Sequence, residues 1–71
     1  AAGLPAEALF YLSEYHLLNG DLPMALDKLR LALRQPGLQP WQRSRFEARV
    51  AELEPFLAGR GARRMDNEQQ Q

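Results

Sequence analysis

The sequence predicts an all-α fold: a helix-turn-helix hairpin, a third helix that caps it, and a disordered C-terminal tail. Three observations carry this. Pro5, Gly20, Pro36-Gly37, Pro40 and Gly59 punctuate the chain into three stretches and a tail. Within each stretch the apolar residues recur at three- and four-residue steps, the helical period. No stretch alternates apolar and polar residues as a half-buried strand would. The expected boundaries are a disordered start over 1–4, a three-helix domain over 5–58 and a disordered tail over 59–71.

The first helix is expected near 5–19. Pro5 suits a first turn, where its missing N–H would be unpaired anyway. Leu9, Leu12 and His16 define one face, and Ala8, Tyr11, Tyr15 and Leu18 an adjoining one. Apolar residues cover more than half of the circumference, so this helix is expected to pack on two sides. Asn19-Gly20 ends it, with Gly20 free to take the left-handed conformation.

The second helix is expected near 22–35. Asp21 is the candidate N-cap, and Pro23 fits the first turn. Leu22, Ala25, Leu26, Leu29, Ala32 and Leu33 form a core-facing stripe, with Asp27, Lys28, Arg30 and Arg34 opposite. Pro36-Gly37 stops it. The third helix is expected near 40–54, with Trp41, Phe46, Val50, Leu53 and Leu57 as its stripe and Arg43/Glu47 at ion-pair spacing. Pro55 disfavours helix at Glu54. An end or kink is expected there, with Phe56 and Leu57 folding back as a hydrophobic clasp. The tail from Gly59 carries one large apolar residue, Met65, too little burial to offset its ordering entropy.

Composition narrows the function. A chain of 71 residues is at most one small domain, burying only about 60% of the surface its unfolded form exposes. Nine Lys and Arg balance nine Asp and Glu, which argues against a dedicated nucleic-acid binder. The absence of cysteine removes disulfides, a thiol nucleophile and thiolate zinc sites. The single histidine, His16, rules out a two-histidine metal motif within the chain. No apolar run approaches the roughly 20 residues of a membrane span. Ala1-Ala2-Gly3 has no signal-peptide pattern, and the chain is read as a piece of a longer parent.

Two helices of about fourteen residues joined by a Gly-Asp turn and followed by a third resemble a tetratricopeptide repeat, whose period is 34 residues. The resemblance runs from Glu7 to Gly37. It is carried by Leu9, Leu12, Ser13 and His16 on the first helix, Gly20-Asp21 at the turn, and Ala25, Leu29 and Ala32 on the second. Pro36 meets the closing proline one position early. His16 stands where the family has tyrosine, and Leu9 where it has an aromatic residue. Ser13, Ala25 and Ala32 fall where helices cross closely and a larger side chain would push them apart.

A closer resemblance joins Tyr15–Leu22, Ala32–Leu38 and Gln42–Arg49 to the C-terminal end of periplasmic β-barrel assembly-enhancing zinc metalloproteases of Gram-negative bacteria. It covers about Leu9 to Leu53 and includes the Pro-Gly link and the arginine-rich third helix. It implies a periplasmic home and a role in outer-membrane protein assembly and quality control. Implied partners are proteins or peptides, namely the outer-membrane assembly machinery or unfolded outer-membrane proteins, together with preceding repeats of the parent. Zinc would belong to the parent's HExxH domain; this chain has no such motif and needs no cofactor of its own.

Among candidate sites, Ser13, His16 and Glu14 could be written as a catalytic set. Ser13 and His16 are better explained as packing positions, and catalysis is not expected. Glu7, Phe10, Glu14 and Leu17 lie away from Leu9, Leu12 and His16. By position match to the family they would line the concave, ligand-holding groove, or else pack on a preceding repeat. Arg43, Arg45 and Arg49, followed by Arg60, Arg63 and Arg64, form a possible basic patch, or an ordinary solvated face, since Glu47, Glu52 and Glu54 are interleaved. The expected function is a non-catalytic interaction module at the end of the periplasmic protease. The alternatives are a purely structural solenoid cap and a fragment of a cytoplasmic adaptor.

Overall fold

The computed structural model describes the backbone of residues 3–70 and the side chains of residues 3–57. The chain is all-α, with α1 (Leu4–Leu18), α2 (Leu22–Leu33) and α3 (Pro40–Gln70) in order. No strand occurs among the described residues. α2 is the central element, packed on both α1 and α3.

The turn between α1 and α2 forms as its residues dictate. Gly20 has φ 76°, its N–H donates to the Leu17 carbonyl at 3.0 Å, and the Asp21 N–H donates to the His16 carbonyl at 2.9 Å. This is a Schellman ending, which requires the left-handed residue that glycine supplies. The Asp21 carboxylate then accepts from the Met24 N–H at 3.2 Å and caps α2.

α2 buries Leu22, Ala25, Leu26, Leu29 and Ala32, the stripe expected from its period. These join Ala6 and Phe10 of α1 and Phe46 and Leu53 of α3 in one core, with Leu9, Leu17, Leu33, Leu38 and Val50 partly buried against it. α2 ends at Leu33, two residues earlier than expected, with Arg34 as its C-cap. Pro36 is exposed in the connection.

Four expectations are corrected. The inward face of α1 is Ala6, Phe10 and Ser13. Leu12 is 39% exposed, while Leu9 and His16 are half-buried. The adjoining face of Ala8, Tyr11, Tyr15 and Leu18 is open to solvent. The reason is that α2 packs along this face and α3 closes over its Phe10 side. In α3, Trp41 is 58% exposed and Gln42 is buried in its place, because the stripe is phased on Gln42, Phe46, Val50 and Leu53. Pro55 lies inside α3 and does not end it. Its ring removes the bond to the Ala51 carbonyl, but Ala51 is exposed, so water can take that carbonyl. Phe56 is 65% exposed, so no clasp closes over the core. α3 runs on to Gln70, past the end expected near 54; the described side chains stop at Leu57, and the expectations for Ala1, Ala2 and Gln71 lie outside the described residues.

Candidate functional site

The four expected groove residues converge, but on α3 and not on an open surface. Phe10 is 6% exposed. Its ring stacks on Phe46 with centroids 5.2 Å apart and planes 13° apart. The Arg45 guanidinium carbon lies 4.2 Å from the centroid of the Phe10 ring. Glu7 accepts from Gln42 Nε2 at 2.9 Å and from Arg45 at 3.2 Å. Glu14 accepts from Arg49 at 3.0 Å. Leu17 packs on the core and borders an apolar recess of about 340 Å³ with Gly20, Leu22, Leu53 and Phe56. The expectation that Phe10 and Leu17 line an open groove or pack on a preceding repeat is therefore corrected. Phe10 is a core residue, Leu17 a core neighbour, and the two carboxylates anchor α3.

The three arginines divide by the same contacts. Arg45 and Arg49 turn to Glu7 and Glu14 of α1, with a further contact from Arg49 to Glu52 at 3.8 Å. Arg43 is exposed and makes no ion pair with Glu47. They do not form one free basic patch. A different pair, Arg30 to Glu54 at 2.9 Å, ties α2 to α3, with both side chains about half exposed. Pairs this exposed contribute about 0–1 kcal/mol each, so they set the register of α3 more than they stabilise it.

Sequence reasoning missed Gln42. Its side chain is 1% exposed and uses both ends. Nε2 donates to the Gly3 carbonyl and to Glu7, and Oε1 accepts from the Gln39 N–H at 2.9 Å. Gly3 has φ 85°, and a Cβ placed on it would lie 2.7 Å from Gln42 Oε1. Gly3 and Gln42 together clasp the start of α1 to the start of α3. A sequence signal existed. Glu7 and Glu14 are seven residues apart on one face of α1. Gln42, Arg45 and Arg49 repeat at three and four on α3, a complementary ladder.

Ser13, Glu14 and His16 do not assemble. The Ser13 hydroxyl donates to the Phe10 carbonyl at 2.6 Å, within its own helix. Glu14 is held by Arg49, and the His16 ring lies edge-on to Tyr15 at 5.6 Å. Among the described residues, no group of three or more His, Asp or Glu could hold a metal ion. No helix of the described residues is long and apolar enough to cross a membrane.

The surface that remains available is on the other side of α1. Leu4, Ala8, Tyr11, Tyr15 and Leu18 recur at four, three, four and three residues and are all exposed. Leu18 is the most open, at 88%. The helical period puts them opposite Ala6, Phe10, Ser13 and Leu17. No charge lies on this stripe, because both acidic residues of α1 turn toward α3. Comparison with protein-family models, with curated proteins and with solved structures finds no match to this chain.

Proposed function

We propose that this chain is a non-catalytic protein-interaction module of tetratricopeptide type, and that its contact surface is the outer face of α1. The observation that carries this is the uncharged, exposed stripe of Leu4, Ala8, Tyr11, Tyr15 and Leu18. The largest apolar patch on a monomeric protein, typically about 300–600 Å², is often its functional contact surface. The burial of Ser13, Ala25 and Ala32, the three small positions of the repeat pattern, supports the family reading. On that reading the parent is a periplasmic zinc metalloprotease acting in outer-membrane protein assembly. This segment is its C-terminal end, and it docks protein partners without contributing to zinc chemistry.

Site-specific photo-crosslinking tests the surface in the intact protein in cells. A crosslinker replacing Tyr15 is expected to capture protein, whereas one replacing Asp27, exposed on α2, should not. Equal capture at both positions would refute the assignment. Capture by residues preceding this segment in the same polypeptide would make the face a solenoid joint and not a docking surface.

A further inference from the structure

We infer that the partner of the α1 stripe is a second copy of this chain, paired antiparallel through α1. This rests on the outer face of α1 being the contact surface. Its grounds are the spacing, size, charge and area of that face.

Alternating steps of four and three residues average 3.5, the repeat of a helix that keeps one seam against another helix. Leu4, Ala8, Tyr11, Tyr15 and Leu18 hold this spacing along all of α1. The pattern is also close to its own reverse about Tyr11. In an antiparallel pair centred there, Leu4 meets the second copy's Leu18, and Ala8 meets its Tyr15. A small side chain then stands opposite a large one on either side of the axis, and the two Tyr11 rings share the centre. A parallel pair would set Ala8 on Ala8 and Tyr15 on Tyr15, leaving a gap beside a crowded step. It would also align the two helix dipoles, which the antiparallel pair opposes.

Charge permits the self-contact. Glu7 and Glu14 are engaged with Gln42, Arg45 and Arg49, so no like charges meet across the two-fold axis. The exposed fractions of Leu4, Tyr11, Tyr15 and Leu18 are 60, 65, 60 and 88%. With about 200 Å² for a large side chain, they offer roughly 550 Å² per copy, or about 1,100 Å² for the pair, just above the roughly 1,000 Å² a specific interface needs.

Sedimentation equilibrium of the purified 71-residue chain over micromolar to millimolar concentration tests this. A monomer–dimer equilibrium is expected. Ala8→Glu and Tyr15→Lys should each raise the dimer Kd about tenfold or more, since each places an unpaired charge in the seam. Both positions are exposed in the monomer, so circular dichroism and the urea midpoint at low concentration should stay unchanged and establish that the variants fold. Mixing A8E with Y15K should restore association, because the antiparallel register brings the carboxylate introduced in one copy against the ammonium introduced in the other. A chain that stays monomeric to millimolar concentration overturns the inference. So does a dimer insensitive to both variants, or a mixture no tighter than its parts. A monomeric chain whose Tyr15 crosslinker still captures another protein in cells would remove only the second copy and leave the docking surface standing.

Discussion

Truncating Phe10 to alanine separates a core role from a groove role. Phe10 is 6% exposed and stacks on Phe46 with ring centroids 5.2 Å apart. Removing a buried phenylalanine costs about 3–5 kcal/mol through lost transfer energy and the cavity left behind. A domain of this size holds about 4–10 kcal/mol in total, at roughly 0.05–0.15 kcal/mol per residue. The loss is therefore a large share of all the stability present. With a urea m-value of about 1 kcal/mol/M for so small a chain, the midpoint should fall by about 3–5 M, or the variant should be substantially unfolded in water. The assay is equilibrium urea unfolding followed by circular dichroism at low protein concentration. Arg43→Ala is the control, exposed and without an ion pair among the described residues, and is expected within about 0.5 kcal/mol of the parent. A drop below about 0.5 M for Phe10→Ala would mean that α3 does not cover α1. The groove reading of Glu7, Phe10, Glu14 and Leu17 would then return.

Gly3→Ala should destabilise by about 1–3 kcal/mol, because it combines a left-handed φ of 85° with a Cβ driven into Gln42. Its melting temperature should fall by about 5 °C or more, and an unchanged value would mean that the Gly3–Gln42 clasp is absent in solution. Gln42→Leu should cost about 1–3 kcal/mol by stranding the Gln39 N–H and removing the Gln42 donor from Glu7, while the Gly3 carbonyl keeps the Glu7 N–H. In hydrogen exchange, the Gln39 amide should lose protection, and retained protection would count against the bond. Asp21→Ala removes the α2 cap and should cost about 1 kcal/mol in urea unfolding, with no loss if the Met24 N–H finds water equally well. Ala25→Leu should cost about 1–3 kcal/mol, since Ala25 has no exposed surface, whereas Ala51→Leu on the open face of α3 should be close to neutral. Equal urea midpoints for these two would mean that Ala25 is not at a tight helix crossing.

The sequence by itself determined that there are three helices, where each begins, the turn between the first two and the inward face of α2. Those features are local. Gly20 can take φ 76°, Asp21 reaches a donor three residues on, and Pro23 and Pro40 suit first turns. α2 has charges on one side only, so its period has a single phase, and Leu22, Ala25, Leu26, Leu29 and Ala32 are buried as that phase requires. Only the tertiary structure decided which side of α1 goes inward. α1 is apolar on opposite faces, so both phases satisfy its period. The choice of Ala6, Phe10 and Ser13 over Leu12, Tyr11 and Tyr15 comes from packing on α2 together with contacts to α3, 35 to 39 residues further along. There Gln42, Arg45 and Arg49 match Glu7 and Glu14, and Phe46 stacks on Phe10. The same contacts rotate α3 so that Gln42 is buried and Trp41 exposed, against the order of their hydrophobicity. A hydrogen-bonded glutamine costs little to bury, and a rotation that inserted the larger indole would break the ladder to α1. Local signals could not specify that outcome, because its partners are remote in the chain and meet only once the third helix has docked.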